Sequence, residues 1–117
     1  MNAGRLIDEN GICVFTTGRK TVGALERARG LLGRPALSSD EALWIEPCNS
    51  IHTFGMTYPI DVIFLDRSGK VLRVVDELKP WRIARVWSAR SVVELGAGRL
   101  RERNIEIGSC LVFEPIP

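Results

Sequence analysis

The only histidine in the chain, His52, lies between Cys48 and Asp61 in the stretch Cys48-Asn49-Ser50-Ile51-His52-Thr53-Phe54-Gly55-Met56-Thr57-Tyr58-Pro59-Ile60-Asp61. A neutral imidazole near pH 7 can act as base, acid or ligand. Beside it a thiolate would be a nucleophile, with a carboxylate to orient the ring. Cys48, His52 and Asp61 are therefore the catalytic candidates of a small hydrolase or transferase. The spacing weighs against that chemistry, because the members of Cys–His dyads normally come from separated segments. The same stretch also supports a binding role. Phe54, Met56 and Tyr58 alternate with Thr53, Gly55 and Thr57, so an extended chain would turn an apolar face one way and a small polar face the other. Gly55 would admit a ligand closely, and an apolar wall with a few polar groups is what a small-molecule pocket requires. The same alternation describes an ordinary half-buried strand, which is the commoner case.

Asp61 enters an apolar run, and its carboxylate must find solvent, a backbone donor or a cation. Acceptance of backbone N–H bonds from the preceding turn, Thr57–Pro59, is the structural expectation. Glu94, between Val93 and Leu95, poses the same problem, and an arginine from the Arg27–Arg34 segment is its expected partner. The ligand-binding candidates are thus His52, Met56, Thr57, Asp61 and Glu94. One histidine, one nearby cysteine and scattered carboxylates form no closed metal site, so no metal and no cofactor are implied. The cysteines Cys13, Cys48 and Cys110 are odd in number and lack Cys-x-x-Cys spacing, which argues against a disulfide framework.

Three blocks together carry a family likeness: Glu26-Arg27-Ala28-Arg29-Gly30-Leu31-Leu32-Gly33-Arg34, the Ile51–Asp66 segment, and Val93-Glu94-Leu95-Gly96-Ala97-Gly98. In this order, over most of the chain from about Thr17, the sequence resembles the DUF192 family, also called UPF0127, a group of small proteins without an assigned activity. Other branches of that family carry a Trp-Met-Lys-Asn-Thr-like stretch where this chain has Phe54-Gly55-Met56-Thr57, and they lack the Cys48/His52 pair. The resemblance therefore implies no family-wide reaction through that pair.

These residues need elements to hold them. Residues 1–10 are polar and read as a loose lead-in, leaving 11–117 as one domain. Gly11–Thr17 reads as a strand. A helix follows from an N-cap at Thr21 through Leu31, with Leu25, Ala28 and Leu32 at helical spacing and Pro35 barring continuation. Ala42–Ile45 is a short strand. Ile60–Leu65 and Val71–Val75 flank Asp66-Arg67-Ser68-Gly69, which signals a hairpin. Arg82–Trp87, Val92–Leu95 and Cys110–Glu114 are further strands, and Arg99–Arg103 is one helical turn. The pattern predicts a β-dominated α+β fold: a small closed or half-closed, barrel-like sheet with one main helix.

At 117 residues, 45% hydrophobic and 26% charged, the chain can bury a core without disulfides or metals. A net charge of +2 argues against a nucleic-acid partner. The basic residues are nearly all arginine, with only Lys20, Lys70 and Lys79 as lysines. A nucleic-acid surface from Arg82, Arg85, Arg90, Arg99, Arg101 and Arg103 is the weakest alternative, since Glu102 and Glu106 interrupt it. No cationic start, apolar leader or long apolar run is visible, so a cytoplasmic location without membrane contact is expected. The leading expectation is a non-catalytic domain with a small-molecule pocket around His52–Asp61.

Overall fold

The computed structural model describes residues 1–117. In chain order the elements are β1 (Asn2–Asp8), β2 (Cys13–Lys20), α1 (Gly23–Arg29), β3 (Glu41–Ile45), β4 (Ser50–His52), β5 (Ile60–Leu65), β6 (Val71–Leu78), β7 (Ile83–Arg85), β8 (Ser91–Gly96), α2 (Arg99–Arg103) and β9 (Leu111–Pro115). Seven strands form one mixed sheet in the order β6-β5-β8-β3-β2-β1-β9, while β4 and β7 pair as a separate ribbon. The apolar run Ile60–Leu65 is buried along its whole length, as a strand covered on both faces must be. Its alternation sorts the core. Ile63 and Leu65 pack with Leu6, Phe15, Trp44 and Val93 on one face of the sheet. Val62 and Phe64 pack with Leu31, Ile45, Ile51 and Met56 on the other.

The β-dominated α+β class holds, but the sheet is not closed. Its edge strands meet only through one isolated bridge, Lys70–Cys110, flanked by bonds such as Val71 N–H to the Ser109 carbonyl at 2.8 Å. β2 and β3 run parallel, and a parallel pair needs a crossover connection. That crossover carries α1. No helix is long and apolar enough to cross a membrane.

Three local expectations need correction. Residues 2–8 are a strand between β2 and β9 rather than a loose lead-in. The polar composition hid two inward positions: Leu6 is fully buried, and a Cβ on Gly4 would fall 2.5 Å from the Glu114 carbonyl oxygen. The helix spans only Gly23–Arg29, buries no side chain, and leaves Leu25 88% exposed, so helical spacing there did not mark a core face. Thr21 does not cap it. The first turn is closed from the other side, by the Glu26 carboxylate accepting the Val22 N–H at 2.6 Å. Finally, residues 53–59 are a chain of turns, not an extended strand. Gly55 adopts φ +82°, so Thr53 and Met56 turn inward while Phe54 and Thr57 face outward.

Candidate functional site

The sheet divides the predicted residues. Asp61 pairs in register with Leu95, and Val62 with Glu94, so the two carboxylates project from opposite faces. Asp61 is fully buried, and it accepts the Glu77 N–H and the Leu100 N–H, each at 2.9 Å. The donors are not those of the Thr57–Pro59 turn. One belongs to the irregular part of the β5–β6 ladder, where Glu77 takes φ +51°, and the other to the first turn of α2. Asp61 thus ties α2 and a strand irregularity to the central strand, a structural duty with both oxygens occupied.

Glu94 has the opposite character. It is 3% exposed, and its Oε1 forms no hydrogen bond. No arginine pairs with it, contrary to the expected ion pair: Arg29 and Arg34 donate instead to the carbonyls of Leu32 and Gly30. Burial pushes its carboxyl up to about 7, while the Leu31 backbone works in the opposite sense. At neutral pH such a group can accept a hydrogen bond as carboxylate or donate one as acid. Gly30 makes room for it: at φ +50°, a Cβ there would stand 2.8 Å from Glu94 Oε1.

Glu94 lines a cavity of about 240 Å³. The end of α1 and the turn after it form one wall (Arg27–Leu32), with Ile45, Ser50, Ile51, His52 and Met56 completing it. Of the predicted ligand set, the structure brings together His52, Met56 and Glu94; Asp61 faces the other core, and Thr57 is exposed. His52 lines the cavity and is itself exposed to solvent. Its Nδ1 accepts the Phe54 N–H at 3.3 Å, and its ring stacks on Phe54, which stacks in turn on Trp81 (centroids 5.1 and 5.8 Å apart).

No hydrogen bond joins Cys48 to His52. The Cys48 thiol donates to the Ser50 carbonyl at 3.2 Å and borders a separate cleft with Pro47, Asn49, Ala89 and Arg90. Burial pushes this thiol up, and the nearby Glu94 adds to the effect, which disfavours the thiolate a nucleophile needs. No group of three or more His, Cys, Asp or Glu side chains comes together as a metal site would require. Four of the six candidate arginines are engaged in ion pairs: Arg90 with Glu46, Arg99 with Glu102, Arg101 with Asp76 and Arg103 with Asp40. Arg82 and Arg85 have no carboxylate partner.

Sequence reasoning missed the residues that hold the pocket walls. Tyr58 donates to the Arg34 carbonyl at 2.8 Å, pinning the turn after α1 to the segment that carries Met56. Thr53 is fully buried, donates to the Lys79 carbonyl at 2.7 Å and accepts the Arg82 N–H at 2.9 Å, which fixes the loop leading to β7. The inward turn of Thr53 depends on long-range partners, and no local signal announces it. Gly30 follows the last helical residue as its C-cap, a position glycine commonly takes, and nothing local marks it as the residue that leaves room for Glu94.

The fold has close counterparts. A Sinorhizobium meliloti protein provisionally described as a transcription regulator is 20% identical, with a TM-score of 0.81, covering 96% of this chain and 92% of that one. A Novosphingobium aromaticivorans protein of unknown function is 18% identical, with a TM-score of 0.78, covering 94% and 83%. A Burkholderia pseudomallei protein provisionally described as exported is 16% identical, with a TM-score of 0.54; the match spans 97% of this chain but 25% of that one. At these identities the likeness concerns the fold alone. No curated protein matches the chain significantly. The DUF192 family model, described as uncharacterized ACR, matches residues 19–113, which contain β3, β5, β6 and β8 whole, parts of β2 and β9, and every residue that lines the pocket; the chain belongs to the DUF192 family.

Proposed function

We propose that this protein is a non-catalytic binding domain whose small-molecule ligand sits between the α1 turn and β8 and donates a hydrogen bond to Glu94. The observation that carries this reading is the buried, unpartnered Oε1 of Glu94 in the wall of a 240 Å³ cavity. A buried polar atom without a partner costs about 1–3 kcal/mol, and a ligand hydroxyl or amine would recover part of it. Met56, Ile51 and Leu31 supply apolar walls, and His52 an exposed aromatic edge. Arg27 and Arg29 border the same cavity, so a ligand with an anionic group directed outward is favoured over one without.

Thermal-shift measurements with hydroxy acids, amino acids and simple polyols at millimolar concentration test this, because a ligand bound only to the native state raises its stability. One of these classes is expected to raise the melting temperature of the wild type and not that of Glu94→Leu. Equal shifts in both proteins, or none in the wild type, would overturn the proposal.

A further inference from the structure

The β4–β7 ribbon turns Ile51 and Ala84 toward the core and leaves its outer face uncovered. On that face His52 lies opposite Ile83, and Ser50 opposite Arg85. Rings extend it at both ends. Trp81, 65% exposed, terminates the His52–Phe54–Trp81 column, so one of its faces is free to take another flat group. Trp87, 78% exposed, carries the Arg85 guanidinium 4.6 Å from its ring centre. Rings left in water on one face are available to stack against a partner.

The face also carries cationic groups. Arg82 and Arg85 form no ion pair, nor does Arg73, which reaches across from β6 to donate to the Arg85 carbonyl at 3.4 Å. Arg99, Arg101 and Arg103, by contrast, are each paired with carboxylates. Exposed rings interleaved with unneutralised guanidinium groups match a partner with flat apolar faces on a polyanionic backbone. A second copy of the chain fits poorly, since a symmetric contact would press these arginines against their own counterparts. Duplex nucleic acid fits poorly too, because its base faces are already stacked.

We infer that the outer face of the β4–β7 ribbon, from Trp81 to Trp87, binds single-stranded nucleic acid by stacking bases on the tryptophans and pairing phosphates with Arg73, Arg82 and Arg85. This face shares Ser50 and His52 with the pocket, but neither tryptophan and none of the three arginines lines that cavity. The test is fluorescence anisotropy with labelled twelve-nucleotide oligo-dT and oligo-rU at 50 and 200 mM salt, together with tryptophan quenching. Binding at low salt with quenching is expected. Replacing Trp81 and Trp87 together by alanine should weaken it roughly five- to 150-fold for each base stacked. Arg82→Ala with Arg85→Ala should flatten the salt dependence by about 1.4 in log–log slope, while Arg99→Ala should leave it unchanged. Absence of binding at 50 mM salt, equal affinity for a duplex, or affinity indifferent to loss of both tryptophans would overturn the inference. So would self-association through this face, seen as a dimer in sedimentation that the tryptophan substitutions abolish, without oligonucleotide binding.

Discussion

Replacing Glu94 by glutamine keeps the side chain's shape and removes its ability to ionise, which isolates the cost of a buried charge. A carboxyl raised from 4.5 to about 7 by burial binds its proton more tightly in the folded chain than in the unfolded one. Its folded form is therefore favoured at low pH. That stabilisation is fully present below about pH 4.5 and is lost progressively as pH rises through about 7. The difference between the two values corresponds to roughly 3 kcal/mol, or about 10 °C in melting temperature for a domain of this size. Urea unfolding followed by tryptophan fluorescence, at intervals from pH 5 to 9, measures it in both proteins. Other carboxylates contribute equally to the two curves, so the difference between them reports Glu94 alone. Wild type and Glu94→Gln should be closest near pH 5, and the variant should be more stable by roughly 3 kcal/mol at pH 9. Parallel curves across that range would refute the reasoning, because they would mean that solvent or a cation reaches the carboxylate.

Asp61→Ala should destabilise the fold by about 3 kcal/mol or more, since it strands the N–H groups of Glu77 and Leu100; a loss below about 1 kcal/mol in urea unfolding would show that neither bond matters. In a C13S/C110S background, Cys48 should react with a disulfide reagent at pH 7.5 more slowly than free glutathione, because its thiol is half-buried and pushed up. His52→Ala should leave that rate unchanged. A fast reaction that depends on His52 would restore the nucleophile.

Much of the framework was legible in local pattern. The run Ile60–Leu65, the Asp66–Gly69 turn and the single turn Arg99–Arg103 follow from apolar periodicity and turn chemistry, and each lies where expected. The exposure of Leu25 was not legible, because helical spacing records which residues share a face and not whether anything covers it. Asp61 and Glu94 looked alike in sequence, each an acid inside an apolar strand. What separates them is register: the β5–β8 pairing sends one to the α2 face and the other to the α1 face, and only the former has both carboxylate oxygens bonded. His52 and Cys48 are near in sequence yet open onto different clefts, because β4 intervenes with its own pairing to β7.

The crossover that carries α1 forms one wall of the pocket, yet the helix itself belongs to neither core. Substitutions at Arg27, Ala28 and Arg29 therefore alter what lines the cavity while leaving the sheet's packing nearly untouched. The central strands have no such latitude, since each of their side chains is committed to one of two buried faces. A lineage could replace the ligand without rebuilding the fold, and chains sharing this architecture at 18–20% identity need not share a ligand.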